Sequence, residues 1–546
     1  MSFPRNHDVQ PETPNSESPN GTSAELAKQE RQTPSSDVPP TWGRRPKITP
    51  IAVFLGLVSS IGGFMFGYVS GQISGFFSMT DFARRFGQMD PDGQYVFSAA
   101  RQGAIVGLLP VGCLIGALIS GSLGDVLGRR LAISLFALWA CVGNIIEISS
   151  QTAWAQFAVG RLVTGCSIGA LSVLVPMYQS ESSPAVIRGL VVSMYQLFVT
   201  LGIWTSYMVD WGTVGRTSSA SWRIPNGLGF LWSLILGIGI LALPESPRHA
   251  YRRGRKDEAR CTLARLAGVE PRHPSVDDEV AQIRAKLEED CSAGKAHWFE
   301  IFTGPRMLYR TLLGIVLQSG QQLTGANFFF YYGTTVFKST GLSNSYVTQI
   351  ILGTVNVAAT FIALYIVRRV SRRKALIVGA ASMAVCFFIY AFVGQYALDS
   401  SNPMNTPQAG TVLVVFSCLA IAAFAITWGP LVWAVVAELY PSRYRAPCMS
   451  LATAANWFWN FMISFFTRFI TDSIHYFYGL VFGGCCVALV FIVYFFVIET
   501  KDRTLEEIDT MYVSHVRPSK SKEWHGGILR SGPGNESAQE DRHVEA

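Results

Sequence analysis

The sequence predicts an all-α membrane protein, with twelve transmembrane helices in two halves of six and a short cytoplasmic helical domain between them. Three observations predict it. Apolar stretches recur from residue 50 to residue 498 with brief interruptions, and several reach the roughly 20 residues a helix needs to cross a bilayer. Basic residues gather in short clusters beside alternate ends of those stretches, and a polar, basic segment at 245–306 divides the series in two. Composition agrees: 15% of residues are charged, against about a quarter in a soluble protein, and mean hydropathy is +0.28.

Residues 1–49 are polar, rich in Ser, Pro, Glu and Asn, and lack apolar periodicity, so they read as a disordered cytoplasmic tail. So long a polar start argues against a cleavable signal peptide. Spans 1–6 are predicted near 50–72, 98–122, 131–149, 154–176, 190–211 and 226–244, making an N-terminal half over 50–244. In the linker, 245–306, the stretches DEARCTLARL and VDDEVAQIRAKLEE have the spacing of short amphipathic helices. Spans 7–12 follow near 308–333, 346–367, 374–396, 411–437, 448–470 and 478–498, a C-terminal half over 307–498. Residues 499–546 repeat the polar composition and read as a second disordered cytoplasmic tail.

Cationic residues orient the bundle. Arg44, Arg45 and Lys47 precede span 1; Arg129 and Arg130 follow span 2; Arg188 follows span 4. Arg372, Arg373 and Lys374 follow span 8, and Arg443 and Arg445 follow span 10. All fall on one side if both termini are cytoplasmic. This topology accounts for the net charge of +7 without a nucleic-acid partner. Cysteines such as Cys113, Cys386 and Cys486 lie inside apolar stretches, so they read as small core residues rather than a disulfide or metal framework. Gly63, Gly67, Gly71 and Gly75 recur every four residues along span 1 and predict close helix packing. The sequons at Asn20 and Asn535 fall in the predicted cytoplasmic tails and are expected to stay unmodified.

Halves of six spans suggest a duplication, the usual build of secondary transporters, whose substrate sits at the repeat interface near the bilayer midplane. GSLGDVLGRR (121–130) and VRRVSRRKA (367–375) occupy corresponding positions in the two halves. Other motifs run in order along the chain: FGYVSGQISG (66–75), GRLVTGCSIG (160–169), PMYQSESSPAVIRG (176–189), YQLFVTLGI (195–203), WRIPNGLG (222–229) and PESPRHAYRRGRKDEA (244–259). QQLTGANFFFYYGT (321–334), WGPLVWAVVAELYPSRYRA (428–446), NWFWNF (456–461) and ETKDRTLEEI (499–508) complete the series. Over roughly residues 50–510 the chain resembles the sugar porter family of the major facilitator superfamily, especially fungal hexose (glucose) transporters.

Asp125, Arg129, Arg161, Glu181, Arg188, Glu245, Arg248, Glu438 and Arg445 are read as lying near cytoplasmic span ends, where opposite charges on different helices can pair. The resemblance implies that this network latches the outward-open state from inside. Uncharged amides gather elsewhere: Gln196 in span 5, Gln321, Gln322 and Asn327 in span 7, Asn356 in span 8, Asn456 and Asn460 in span 11. An amide both donates and accepts, which suits a substrate bearing several hydroxyls. Trp433 in span 10 offers a flat apolar face. By the resemblance, Gln196, Gln321, Gln322, Asn327, Asn356, Trp433 and Asn460 match positions that bind hexose in relatives. Gly325 suggests that the helix of span 7 is interrupted there, through Asn327 to Tyr332.

Departures from the family pattern refine the expectation. Many proton-coupled relatives place an Asp where this chain has Val69, and Glu147 and Asp210 fall near predicted outer span ends. Lacking a titrating group at mid-span, the chain is expected to work by facilitated diffusion and alternating access at the plasma membrane, moving a monosaccharide, a hexose such as glucose, without metal or cofactor. A proton-coupled symporter is one alternative. Arg368 and Ser371 depart from the usual second-half motif, and Ile498 and Asp502 from the usual C-terminal one. These changes predict a weaker C-terminal latch, and they motivate a second alternative, a sugar sensor whose tails recruit a cytoplasmic signalling partner. No nucleophile–base pair, metal cluster or phosphate loop is recognisable, so an enzyme is not expected.

Overall fold

Inside a bilayer the backbone has no water to bond, so a crossing segment satisfies its amides within one helix. Each predicted span is helical in the computed structural model, which describes residues 49–183, 185–292, 300–338, 344–366, 369–399, 405–441, 444–501, 503 and 505–524. Residues 1–48 and 525–546, with both sequons, Arg368, Arg443 and Asp502, lie outside the described residues.

The N-terminal half contains α1 (Pro50–Phe76), the short α2 (Thr80–Phe86), an antiparallel pair β1 (Gln88–Met89) and β2 (Tyr95–Val96), then α3 (Ala99–Leu127), α4 (Arg129–Ser149), α5 (Trp154–Ser182), α6 (Ala185–Thr213) and α7 (Ala220–Gly239). The linker forms α8 (Pro247–Arg252), α9 (Lys256–Ala267), α10 (Pro274–Ser292) and α11 (Glu300–Thr303). In the C-terminal half, span 7 is α12 (Met307–Leu323) plus α13 (Ala326–Lys338), and α14 (Ser345–Ile366) and α15 (Arg372–Tyr396) follow. Span 10 is also two pieces, α16 (Pro407–Ile426) and α17 (Trp428–Leu439), before α18 (Arg445–Ile474), α19 (Tyr478–Phe496) and α20 (Leu505–Val513). Among the described residues nine stretches are long and apolar enough to cross a membrane, the last of them, Pro447–Phe496, holding both α18 and α19.

We call the end of the bundle bearing α8–α11 the linker side and the opposite end the far side. On the far side Phe76, Phe82, Phe86, Phe157 and Trp222 form a buried aromatic cluster, and Trp222 Nε1 donates to Asp81 at 3.0 Å. The predicted glycine stripe packs as expected: a Cβ on Gly67 or Gly71 would run into Val199, Ile203 and Ser206 of α6. On the linker side α9 and α10 join through Leu263, Ala264 and Val276, and Thr49 at the start of α1 donates to Leu266 O at 2.8 Å.

Three readings change. The interruption of span 7 is confined to Thr324–Gly325; Asn327 to Tyr332 are already helical in α13. Gly325 has φ +82°, and a Cβ there would lie 2.7 Å from both Phe387 and Phe482. The left-handed region alone costs a side-chain-bearing residue about 1–2 kcal/mol. Gly325→Ala is therefore expected to lower the thermal midpoint of the detergent-solubilised protein, read by fluorescence-detected size exclusion after heating. Span 10 breaks at Thr427 (φ −122°, ψ −79°), a break the continuous apolar run of this segment hides. Nor is the C-terminal tail disordered from its first residue. Ile508, Met511 and Tyr512 give α20 an apolar face that is buried against the C-terminal half, and Arg310 pairs with Asp509 at 2.7 Å.

Candidate functional site

The break in span 7 brings the amides together. Gln318, Gln321 and Gln322 share one face of α12 because residues three and four apart are neighbours on a helix. Gln321 Nε2 donates to the carbonyls of Trp428 (2.9 Å) and Gly429 (3.0 Å), at the start of α17 just after the break in span 10. Asn456 on α18 donates to Gln318 Oε1 and Gln321 Oε1, both at 2.8 Å, and accepts from Gln322 Nε2 at 2.8 Å. Gln322 Oε1 accepts from Asn327 and, at 3.4 Å, from Asn460; Asn460 Oδ1 accepts from Tyr331 Oη at 3.2 Å.

Of the candidates read from sequence, Gln321, Gln322, Asn327 and Asn460 thus form one hydrogen-bonded set. Gln318 and Tyr331 belong to it and escaped the reading, although each lies one helical turn from a candidate, Gln322 and Asn327 respectively. Asn356 is buried on α14 outside that set, and Gln196 is half-buried on α6. Trp433 is 36% exposed, off the α17 face that buries Leu431, Val432, Val435 and Val436.

The charged candidates separate into two networks on the linker side. In the N-terminal half Arg129, 3% exposed, pairs with Asp125 at 2.9 Å and Glu181 at 3.1 Å. Glu245 accepts from the backbone N–H of Arg129 (3.0 Å), Arg130 (3.2 Å) and Ser246 (2.8 Å), an anion held at the N-terminus of α4. In the C-terminal half Arg372 pairs with Glu438, while Glu499 accepts from Arg372 N–H at 3.0 Å and from the Ser371 hydroxyl. Arg372, Glu438 and Glu499 repeat the roles of Arg129, Glu181 and Glu245. The second copy, expected to be weakened, thus keeps an Arg–Glu pair and an anion at its helix N-terminus, the anion coming from Glu499 beyond span 12 with Ser371 donating to it, while Arg368, which stands opposite Asp125 in the repeat, lies outside the described residues.

Other candidates move. Arg161 is not at a cytoplasmic span end: it is wholly buried in α5, donates to Val69 O at 2.9 Å and lies within electrostatic reach of Glu147. It sits only seven residues from the far-side start of α5, which its GRLVTG motif gave no means to place. Arg248 is exposed; its neighbour His249 turns inward instead, with Nδ1 3.0 Å from Arg129 Nη1. Arg445 stays with the C-terminal network, donating to Tyr440 O at 3.4 Å and lying within electrostatic reach of Glu438, and the Arg188 side chain lies outside the described residues. Arg252, which pairs with Asp125 at 3.2 Å, was missed.

Burial first, and the Arg129 guanidinium next, hold His249 below its ordinary range. An arginine can only donate, so Nδ1 accepts and the ring is neutral. The unfolded chain then binds more protons in the window below about 6.5, so this group's contribution to stability falls as pH drops through that window. His249→Gln is expected to flatten that part of the thermal-midpoint profile between pH 7 and 5.5.

Contacts between the halves lie toward the far side. Thr334 of α13 bonds with Ser74 of α1, Tyr346 Oη donates to Gly75 O at 2.7 Å, and Tyr207 Oη to Phe330 O at 3.3 Å. Each linker-side ion pair named above joins residues of one half or its linker. Among the described residues the halves are thus hydrogen-bonded to each other toward the far side, and the ion pairs named at the linker side stay within each half. Glu147 and Asp210 are 0% and 1% exposed, so proximity to a span end does not put either in water.

A twelve-span reading, two repeated halves and an amide cluster at the break in span 7 define a membrane carrier of the major facilitator fold. The family model described as sugar (and other) transporter matches residues 55–512. The chain is 46% identical to the hexose transporter HXT10 of Saccharomyces cerevisiae over 471 residues, covering 86% of each, and 44% identical to the low-affinity glucose transporter HXT1 of that organism over 498 residues, 91% of this chain and 87% of that one. It is 45% identical to hexose transporter 2 of Kluyveromyces lactis over 487 residues, 88% of this chain and 86% of that one. Among solved structures, the xylose transporter XylE from E. coli in a partially occluded inward-open conformation superposes with a TM-score of 0.69 at 24% identity, covering 84% of this chain and all of that one. The chain belongs to the sugar porter family, whose members are transporters rather than enzymes.

Proposed function

We propose that this chain is a plasma-membrane hexose transporter, with glucose as its sugar, working by alternating access and facilitated diffusion. One observation carries the reading: amides from α12, α13 and α18 converge at the break in span 7, in a molecule whose halves are hydrogen-bonded to each other toward the far side. Relatives at 44–46% identity named for hexose or glucose support the substrate class. With the linker side cytoplasmic, as the basic clusters require, the conformation faces inward. Rocking the halves would close the linker side, bringing together networks now confined to each half, and open the far side to sugar. Gln196 on α6 and Trp433 on α17, both partly exposed, are proposed to meet the sugar along its path.

A second reading, proton symport, is favoured by Glu147, a buried acid within electrostatic reach of Arg161. Passive transport is preferred because Arg161 is anchored on the backbone of Val69, where a carboxylate would otherwise take it. Uptake of radiolabelled glucose in cells stripped of their own hexose transporters is expected to saturate and to survive a protonophore. Uptake lost with the proton gradient would establish symport and point to Glu147. No uptake from protein shown to be at the surface would favour the sensor.

A further inference from the structure

Asp210 has a different environment from Glu147, the acid buried as deeply in the N-terminal half. Glu147 Oε1 accepts from Thr164 Oγ1 at 2.8 Å and has Arg161 within reach. Asp210, three residues before the end of α6, has no hydrogen-bond partner on either carboxylate oxygen and no ion pair among the described residues. The titratable groups facing it are three phenols: Tyr68 of α1, Tyr207 of its own helix and Tyr346 of α14. It is 1% exposed, packed so closely on α1 that a Cβ at Gly75 would collide with its oxygen.

That position is part of the far-side closure. Gly75, which touches the carboxyl, takes the Tyr346 hydroxyl of the opposite half on its carbonyl, and Ser74 beside it takes Thr334. Closing the halves therefore seals Asp210. A carboxylate sealed in without a cation or a donor loses its hydration and gains nothing in return; it takes up a proton instead.

We propose that Asp210 is a proton-binding site in the far-side gate, ionised and hydrated when the gate is open and protonated when the halves close over it. The proton comes from the far-side solution and returns there, because Asp210 lies on that side of the amide cluster. It is never passed to the linker side. External pH then sets how readily the gate closes without driving accumulation, which deepens the proposed facilitator reading and rests on it.

The test reads the gate itself. Thr334→Cys, 1% exposed at the closure, is reacted in intact cells with a membrane-impermeant maleimide, alone and combined with Asp210→Asn. Dividing the two labelling rates at each pH removes the thiol's own titration and leaves the effect of Asp210 on opening. The ratio is expected to stay near one in acid and to rise by up to about tenfold per pH unit once the carboxyl ionises. A ratio constant from pH 5 to 8 overturns the proposal, whether or not the protein moves sugar. Glucose uptake by the unaltered chain is a second readout needing no variant that could misfold. Its rate should depend on external pH at fixed internal pH; dependence on internal pH alone would overturn the assignment.

Discussion

Replacing Asn327 by Ala is expected to raise the Km for glucose by about ten- to a hundredfold, with surface expression unchanged. The argument turns on what each amide already holds. Gln321 is committed to structure: its two bonds tie α12 to the carbonyls of Trp428 and Gly429 beside the span 10 break. Losing it unties α12 from the start of α17, so Gln321→Ala should reduce the amount of folded protein before it changes affinity. Asn327 is half-buried on the first turn of α13 and is bonded to another amide, Gln322, rather than to backbone. It can exchange that bond for a sugar hydroxyl at little cost. Truncating it leaves a hydroxyl unmatched in a site drained of water, and the penalty is that of an unmade hydrogen bond. Normal uptake by Asn327→Ala at normal surface density would remove Asn327 from the site and, with it, the reading of span 7 as the sugar's main contact.

The spans were legible because bilayer thickness and backbone hydrogen bonding leave little freedom: an apolar run of sufficient length is a helix. The amide cluster was legible for a related reason, since Gln321, Gln322, Asn327 and Asn460 are polar groups within apolar runs. What stayed hidden depends on rotation and depth. Glu147 and Asp210 lie close to span ends, and distance along the chain cannot distinguish a carboxyl that reaches water from one turned into the bundle. Arg161 was misplaced for the same reason. His249 and Arg248 are adjacent in one short motif, yet a rotation of about 100° per residue puts one inside and the other in solvent. Glu499 could have been found by asking, from the repeat alone, which acid plays the part of Glu245 in the second half.

Arg129→Leu is expected to lose about 3–5 kcal/mol of stability, the usual cost of stripping one partner from a buried ion pair, and Arg372→Leu, whose pair is partly exposed, to lose less. Arg129 is the stronger case, being 3% exposed and shared among Asp125, Glu181 and His249, whereas the Arg372 and Glu438 side chains are 22% and 23% exposed. The double variant separates two views of these networks. In the inward-facing arrangement each arginine serves its own half, so the two losses in thermal midpoint should add, as they do for sites that share no partner. If the proposed outward-facing state joins the networks across the halves, the same pair should couple when that state is trapped by a far-side inhibitor. The second arginine then costs less once the first has already broken the latch. Additivity without inhibitor and coupling with it would make the charges a conformation-dependent lock. Additivity in both conditions would reduce them to braces within each half, anchoring α4 and α15 and leaving the closing of the linker side to other contacts.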